Sequence, residues 1–223
     1  SVFDVLTGKT RISGFLESPL LIISHTAMPA WQESLKRVID VVFSLAALIV
    51  LSPFFLIIGL IIKIGSEGPV FFKQERIGLH EKPFIIYKFR SMYIDAEKDG
   101  PRLSAAGDKR ITPFGRFLRK TRLDEIPQFF NVLKGDMSVV GPRPERRYYI
   151  DKIVEKAPYY LNLLKVKPGI TSWGQVKFGY AENVEQMIQR LKFDLFYVEN
   201  RSLYLDFKIM IHTVLVILKR DGK

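Results

Sequence analysis

The sequence predicts an α+β chain, mainly helical, held in one face of a membrane: a monotopic protein with a re-entrant helix-break-helix, interfacial amphipathic helices and a small β-hairpin or sheet. Three observations carry this. The 22 residues between Asp40 and Lys63, VVFSLAALIVLSPFFLIIGLII, hold no charge, and a helix of that length spans about 33 Å, enough for the core of a bilayer. Ser52-Pro53 sits at the middle of that run. A formal charge of +11, with basic residues on both flanks of the run, suits a polyanionic partner or an anionic surface.

Residues 1–35 carry two apolar patches, Val2 to Leu6 and Leu20 to Ile23, separated by Gly, Ser and Thr; with Ser1 rather than Met at the start, they read as the tail of a preceding domain. Residues 36–64 are the membrane segment. The run begins about forty residues in and no small-residue cleavage site follows it, so a signal peptide is not expected. Pro53 removes a main-chain donor and its ring collides with the carbonyl four residues back, while Ser52 can bond to a freed carbonyl. A straight-through helix with a tolerated proline kink fits, and so does a re-entrant hairpin. Lys36 and Arg37 before the run and Lys63, Lys73 and Arg76 after it favour the hairpin, because both ends then face the cytoplasm.

Residues 65–223 form the expected domain at the cytoplasmic face. Gly65 to Pro69 is a turn, Val70 to Lys73 a short strand, Gly78 to Lys82 a loop and Phe84 to Phe89 a second strand. Residues 95–112 are polar, with Gly100-Pro101 and Gly107-Asp108, and read as a loop that orders on ligand binding. In PFGRFLRKTR, residues 113–122, Phe114, Phe117 and Leu118 interleave with four basic residues, as in an interfacial helix; a solvated surface helix reads the same way. Apolar residues at 123, 126, 130 and 133 make a helical stripe ending at Gly135, and Pro127 is tolerable only in a first turn, so this helix is expected to begin near Asp124 and Glu125. Leu203 to Arg220 is apolar but contains Asp206, Lys208 and His212, which suits a buried or interfacial helix better than a span.

Composition narrows the chemistry. The 223 residues contain no Cys, which removes disulfide scaffolds, thiolate nucleophiles and Cys-ligated zinc. The three His lie far apart without ligand spacing, so a metal here is expected to be a hard cation on carboxylate and phosphate oxygens, which points to magnesium.

Asp124-Glu125 is the sharpest feature: two acids follow a stretch, Lys109 to Leu123, with six basic residues and no acidic one. They can be a helix cap and a dipole-complementing Glu, worth ~1 kcal/mol. They can equally be reactive, since a helix start and clustered Arg form a phosphate site and keep a carboxylate ionised and nucleophilic. A carboxylate that attacks phosphorus forms an acyl-phosphate and divides one hard transfer into two. Two acids facing a diphosphate then require cations to offset the charge. Arg119, Lys88 and Arg90 are the candidate donors, with solvated surface charges as the alternative. In GPRPE, residues 141–145, Pro142 and Pro144 flank Arg143 and aim its guanidinium. Pro168 to Thr171 is a second turn, followed by Trp173 and Gln175; the indole there can stack a base, lie in the membrane interface or pack in the core.

LKRVIDVV, the Ser52-Pro53 break, GPVFFKQERIG, PFIIYKFRSM, GRFLRKTRLDEIPQFFNVLKGDMSVVGPRPE, KPGITSWGQV and FDLFYVENRSLYLDFKIM together resemble the bacterial sugar transferase family, the monotopic phosphoglycosyl transferases, from about Lys36 to Leu218. The resemblance implies a two-step reaction at the cytoplasmic face of the bacterial inner membrane. A UDP-sugar gives its sugar phosphate to an Asp with loss of UMP, and undecaprenyl phosphate then takes it. It implies Asp124 as nucleophile, Glu125 as the Mg²⁺ partner, Arg119 as a phosphate contact, Lys88 and Arg90 near the site, Arg143 and Pro144 at the nucleotide pocket, and Ser52-Pro53 as the re-entrant break. Residues 1–35 resemble the end of the N-terminal region of longer, polytopic members. The implied partners are UDP-sugar, undecaprenyl phosphate and membrane lipid, with no nucleic acid; a homo-oligomer stays open.

The chain departs from the family's pattern at Ser172 and Gly174, where Gly and Ala often flank the tryptophan, and at Arg122, where a small residue often precedes Leu-Asp-Glu. Two rival readings remain: a membrane-anchored basic module for nucleic acid or anionic lipid, and single-step transfer in which Asp124 is a base or metal ligand.

Overall fold

A computed structural model describes residues 10–13, 20–23, 28–98, 100–104 and 107–218. The apolar patch at Val2 to Leu6 and the last residues of the expected 203–220 helix lie outside these. Strands β1 (Thr10–Ser13) and β2 (Leu20–Ile23) pair antiparallel, so the second patch is a strand.

Helix α1 (Ala30–Gly65) takes up the whole uncharged run and is long and apolar enough to cross a membrane. Helical backbone continues through Ser52-Pro53, so the two arms the sequence predicts are joined there without a non-helical residue. The reason is local: Pro53 has no N–H for the Ile49 carbonyl, and the Ser52 hydroxyl donates to that carbonyl instead, at 2.8 Å. Leu56, 78 % exposed, lies on an outward face with Ile49, Val50 and Ile57 that only lipid or another apolar surface would cover.

Both ends of α1 are fastened to the same body. Near its start the Lys36 ammonium donates to the Val140 carbonyl at 3.0 Å and pairs with Asp206 at 2.6 Å. Arg37 donates to the carbonyls of Val132 and Leu133. The buried Asp40 carboxylate accepts from the Ser138 hydroxyl and the Val139 N–H. At the far end Ile58 and Ile62 pack with Phe89, Leu118 and Ile126.

β3 (Phe71–Ile77) and β4 (Pro83–Phe89) form the expected hairpin, in register Gln74↔Ile86 and Arg76↔Phe84. The first strand runs past Lys73, because pairing with β4 holds Gln74, Glu75 and Arg76 in a ladder that their polarity does not announce. In α2 (Pro113–Lys120) the Thr112 hydroxyl accepts from the Gly115 N–H, and Pro113 takes the first turn. A Cβ at Gly115 would lie 1.9 Å from the Ser91 carbonyl oxygen, so only glycine lets α2 sit this close to the chain leaving β4. Leu118 is buried while Phe117 and Lys120 stay outside.

The helix expected to start at Asp124 begins later. Leu123–Glu125 is a 3-10 turn, Pro127 is the N-cap, and α3 (Gln128–Lys134) follows, stopped by Gly135 at φ 97°. Pro127 therefore stands outside the helix rather than in its first turn, and the acid pair lies in the tighter turn before it. β5 (Ser138–Val140) and β6 (Gly169–Thr171) pair parallel. Between them run α4 (Arg147–Lys156) and a 3-10 stretch, Pro158–Lys165. α5 (Trp173–Lys177), α6 (Val184–Glu199) and α7 (Leu203–Leu218) complete the chain. One core joins α4, the 3-10 stretch and α6 through Ile150, Ile153, Leu163 and Leu191. A second joins β4, β5, α6 and α7 through Ile86, Val140, Tyr197 and Ile209. Asp206 of α7 is buried against Lys36 and accepts from the Tyr197 hydroxyl.

Candidate active site

Asp124 and Glu125 are both buried, each 6 % exposed, in the turn between α2 and α3. Three cations from three elements reach Glu125. The Lys88 ammonium, on β4, donates at 2.7 Å. Arg143, from the loop after β5, stands at 3.5 Å and Arg122 at 3.6 Å. Burial alone would raise the Glu125 carboxyl; Lys88, Arg143 and Arg122 overcome it and hold the group well below the usual carboxylate range. Asp124 goes the other way. Burial and the neighbouring Glu125 charge push it up to about 6, against the pull of Lys88, Arg119 and Arg122. The sequence predicts that clustered Arg keep this acid readily ionised; burial and repulsion outweigh them. Lys88 is itself shifted down, chiefly by burial and despite Glu125.

The loop carrying Arg143 is fixed by its neighbour. Glu145 is buried between Arg190 at 2.6 Å and Arg76 at 3.1 Å. Arg76 also donates to the Pro144 carbonyl, so Pro144 acts through its main chain, as a fastening for the turn. Arg119, in the last turn of α2, donates to the Ser104 hydroxyl at 2.9 Å and lies near enough to lower Asp124.

Arg90, expected to meet phosphate beside Lys88, points elsewhere. It donates to the carbonyls of Glu67 at 2.6 Å, Ser66 at 2.8 Å and Ile62 at 3.4 Å, and to the Ser66 hydroxyl at 2.9 Å, closing the C-terminal end of α1. Lys88 and Arg90 are two apart and therefore share a side of an ideal strand, but β4 has ended at Phe89 and the chain turns. Trp173 is a core residue, 9 % exposed, edge-on to His212 and packed with Val139 and Tyr197, so its ring has no face for a base. Gln175 is buried, and its carbonyl oxygen has no hydrogen-bond partner among the described residues.

Two residues at the site were not singled out by sequence reasoning. Arg122, noted only as a departure from the family's pattern, has a left-handed backbone, φ 60°. Its guanidinium lies over the Tyr180 ring at 4.3 Å and donates to the Tyr180 hydroxyl. Tyr180 also stands 5.7 Å from Arg143, and burial pushes its hydroxyl up to about 12. The run of charge around the acid pair was a signal for Arg122; nothing in the sequence marked Tyr180.

Chemically, the arrangement places one permanently ionised carboxylate inside a ring of cations beside a second whose proton affinity lies near neutrality, the unlike pairing that divides roles between two acids. Among the described residues no three metal-ligating side chains converge. Mg²⁺ commonly takes one or two carboxylates and fills its shell with phosphate oxygens and water. An ionised Glu125 next to an Asp124 that its charge disfavours fits that need.

The model of the family described as bacterial sugar transferase matches residues 31–220. The chain is 40 % identical, over 99 % of its length, to the UDP-N-acetylgalactosamine-undecaprenyl-phosphate N-acetylgalactosaminephosphotransferase of Aeromonas hydrophila, of which it covers 52 %. It is 39 % identical, over 95 % of its length, to the UDP-glucose:undecaprenyl-phosphate glucose-1-phosphate transferase of Escherichia coli K12, of which it covers 46 %. For the undecaprenyl-phosphate galactose phosphotransferase of Salmonella typhimurium the figures are 39 %, 92 % and 45 %. The chain thus spans about half the length of these curated relatives. With 190 consecutive residues matched, and the acid pair, its cation ring and the anchored apolar run all inside them, the chain belongs to the bacterial sugar transferase family.

Proposed function

We propose that this chain moves a sugar-1-phosphate from a UDP-sugar to undecaprenyl phosphate, giving undecaprenyl-diphosphate-sugar and UMP, as the first membrane step in making an exopolysaccharide, capsule or O-antigen. In the first half, an Asp124 carboxylate oxygen bonds to the β-phosphorus as the bond from that phosphorus to the bridging oxygen breaks, and UMP leaves. In the second, a phosphate oxygen of the acceptor bonds to the same phosphorus and Asp124 departs as carboxylate. Lys88, Arg143 and Arg122 neutralise Glu125 and the phosphate oxygens, and Arg119 reaches the Asp124 side. Glu125 would hold Mg²⁺, which when bound supplies charge neutralisation of the diphosphate. The observation that carries the reading is the split between the two buried acids. One is fixed as an anion; the other is ionised at neutral pH without being strongly stabilised as such, as a nucleophile should be.

The membrane assignment, a re-entrant α1 with both ends at the cytoplasmic face of the inner membrane, is supported by Lys36, Arg37 and Asp40 at one end of α1 and Ile58 and Ile62 at the other meeting one body. A straight span would carry those ends to opposite sides of a bilayer.

The test is to incubate the protein with UDP-sugar labelled in the β-phosphate and Mg²⁺, without acceptor. Label bound to protein, and absent in Asp124→Asn, is expected; UMP release undiminished in that variant would end the nucleophile assignment. An Asp124 near 6 also suits a base that takes a proton from the acceptor phosphate in a single displacement. That reading predicts no labelled protein, and UMP only when both substrates are present.

A further inference from the structure

Against the Glu125 side of the acid pair lies a cavity of ≈ 240 Å³ whose apolar walls the chemistry above does not use. Its walls are Phe43 of α1, Phe129 of α3, Val139 of β5, Ile170 of β6, and Met210 and Val214 of α7. Its polar end is Arg122 and Glu125, with Gln175 on the lining. Resting on the function proposed above, we propose that this cavity seats the isoprene units nearest the head of the acceptor, and that Arg122, positioned by Tyr180, receives the acceptor's phosphate.

The occupant must pair an apolar body with an anionic head, because the walls are mostly hydrocarbon, with Thr171 and Thr213 among them, and the polar end carries the Arg122 guanidinium, with Glu125 beside it already met by Lys88 and Arg143. A uridine or a sugar has no use for such walls; a prenyl phosphate matches both ends. The cavity is also open to lipid, since α1 contributes Phe43, and α7 carries Phe207, Ile211 and Val214 on an exposed apolar face. Gln175 supplies a second sign of a ligand: only 6 % exposed, it presents a carbonyl oxygen with no hydrogen-bond partner among the described residues. A phosphate monoester, with a second pKa of about 6, carries a hydrogen for such an acceptor part of the time. Arg122 is held for this task by Tyr180 below its plane, with one nitrogen 3.6 Å from Glu125. An incoming phosphate meets a cation already beside the acid pair.

The experiment measures KM for undecaprenyl phosphate and for UDP-sugar separately, in detergent micelles. Val214→Trp, which fills the cavity, is expected to raise the undecaprenyl phosphate KM about tenfold and the UDP-sugar KM less than about twofold. Leu215→Trp, one residue on and outside the lining, moves neither. Arg122→Gln raises KM both for undecaprenyl phosphate and for geranyl phosphate, whose short tail needs little of the cavity; Arg122→Lys restores part of the loss. Equal rises in donor and acceptor KM for Val214→Trp, or none, overturn the proposal. Independently of any variant's folding, an undecaprenyl phosphate analogue with a diazirine near its head should label Met210 or Val214 in the unaltered protein, and labelling confined to other segments overturns it too. Failure of the function itself reads differently: no lipid-linked sugar forms from any UDP-sugar, while the photolabelling still decides who occupies the cavity.

Discussion

Asp124→Asn should abolish transfer and make the protein more stable. The Asp124 carboxyl rises from the ordinary 3.8 to about 6 on folding, chiefly through burial and then through Glu125. The native state therefore holds its proton more tightly than the unfolded chain does. Stability from this group is complete below pH 3.8, falls as pH rises through the window to about 6, and is lost above it. At about 1.36 kcal/mol per pKa step the ionised acid costs on the order of 3 kcal/mol at neutral pH. Asparagine keeps the shape and removes the charge, so a gain of about 1–3 kcal/mol is expected, or several degrees in Tm for a chain of this size. The assay is thermal unfolding by intrinsic fluorescence in one detergent across pH 4 to 8. The Tm difference between variant and parent should be positive at pH 7.5 and shrink towards zero near pH 4. A variant less stable than its parent at pH 7.5, or a difference that ignores pH, would refute the reasoning that burial and Glu125 dominate at Asp124.

The same shift sets the pH profile of UMP release without acceptor: the rate should fall about tenfold for each pH step below about 6, because protonated Asp124 is no nucleophile, and a flat profile from 5 to 8 would be the contrary result. Glu125→Gln should lose the rise in Tm that Mg²⁺ gives the unaltered protein, a readout that needs no turnover; an equal Mg²⁺ response in both would place the cation elsewhere. Arg90→Met should lower stability by about 2–4 kcal/mol by leaving the carbonyls at the end of α1 without donors. At permissive temperature it should leave the KM for UDP-sugar within about twofold, whereas a rise in that KM with unchanged Tm would return Arg90 to the phosphate site.

How much of this was written in the sequence depends on whether a feature is local. The apolar run and the pairing of strands around a Gly-containing loop are one-dimensional patterns, and α1 and the β3–β4 hairpin follow them. The acid pair and Arg143 were legible because charge density and paired prolines are visible in a line of text. The start of α3 was misplaced because a 3-10 turn and an α-helical turn share the same apolar spacing over three residues. Arg90 and Lys88 look equivalent in sequence, and only the carbonyls at the end of α1 separate them. Trp173 was open between base, membrane and core until α6 and α7 closed over it. Tyr180 reaches the site across fifty-eight residues of chain, a contact no spacing rule foresees.

Fastening α1 near its beginning and near its end to the packed helices and strands beside it has a mechanical result. A helix held at a single point answers a thin or thick bilayer by tilting. Pinned twice, this one cannot swing; on the function and membrane assignment proposed above, the height of the acid pair over the lipid tails is then dictated by the protein, and the surrounding leaflet must deform to suit. Turnover should accordingly track acyl-chain length in reconstituted bilayers, with an optimum where the leaflet meets the pinned helix unstrained.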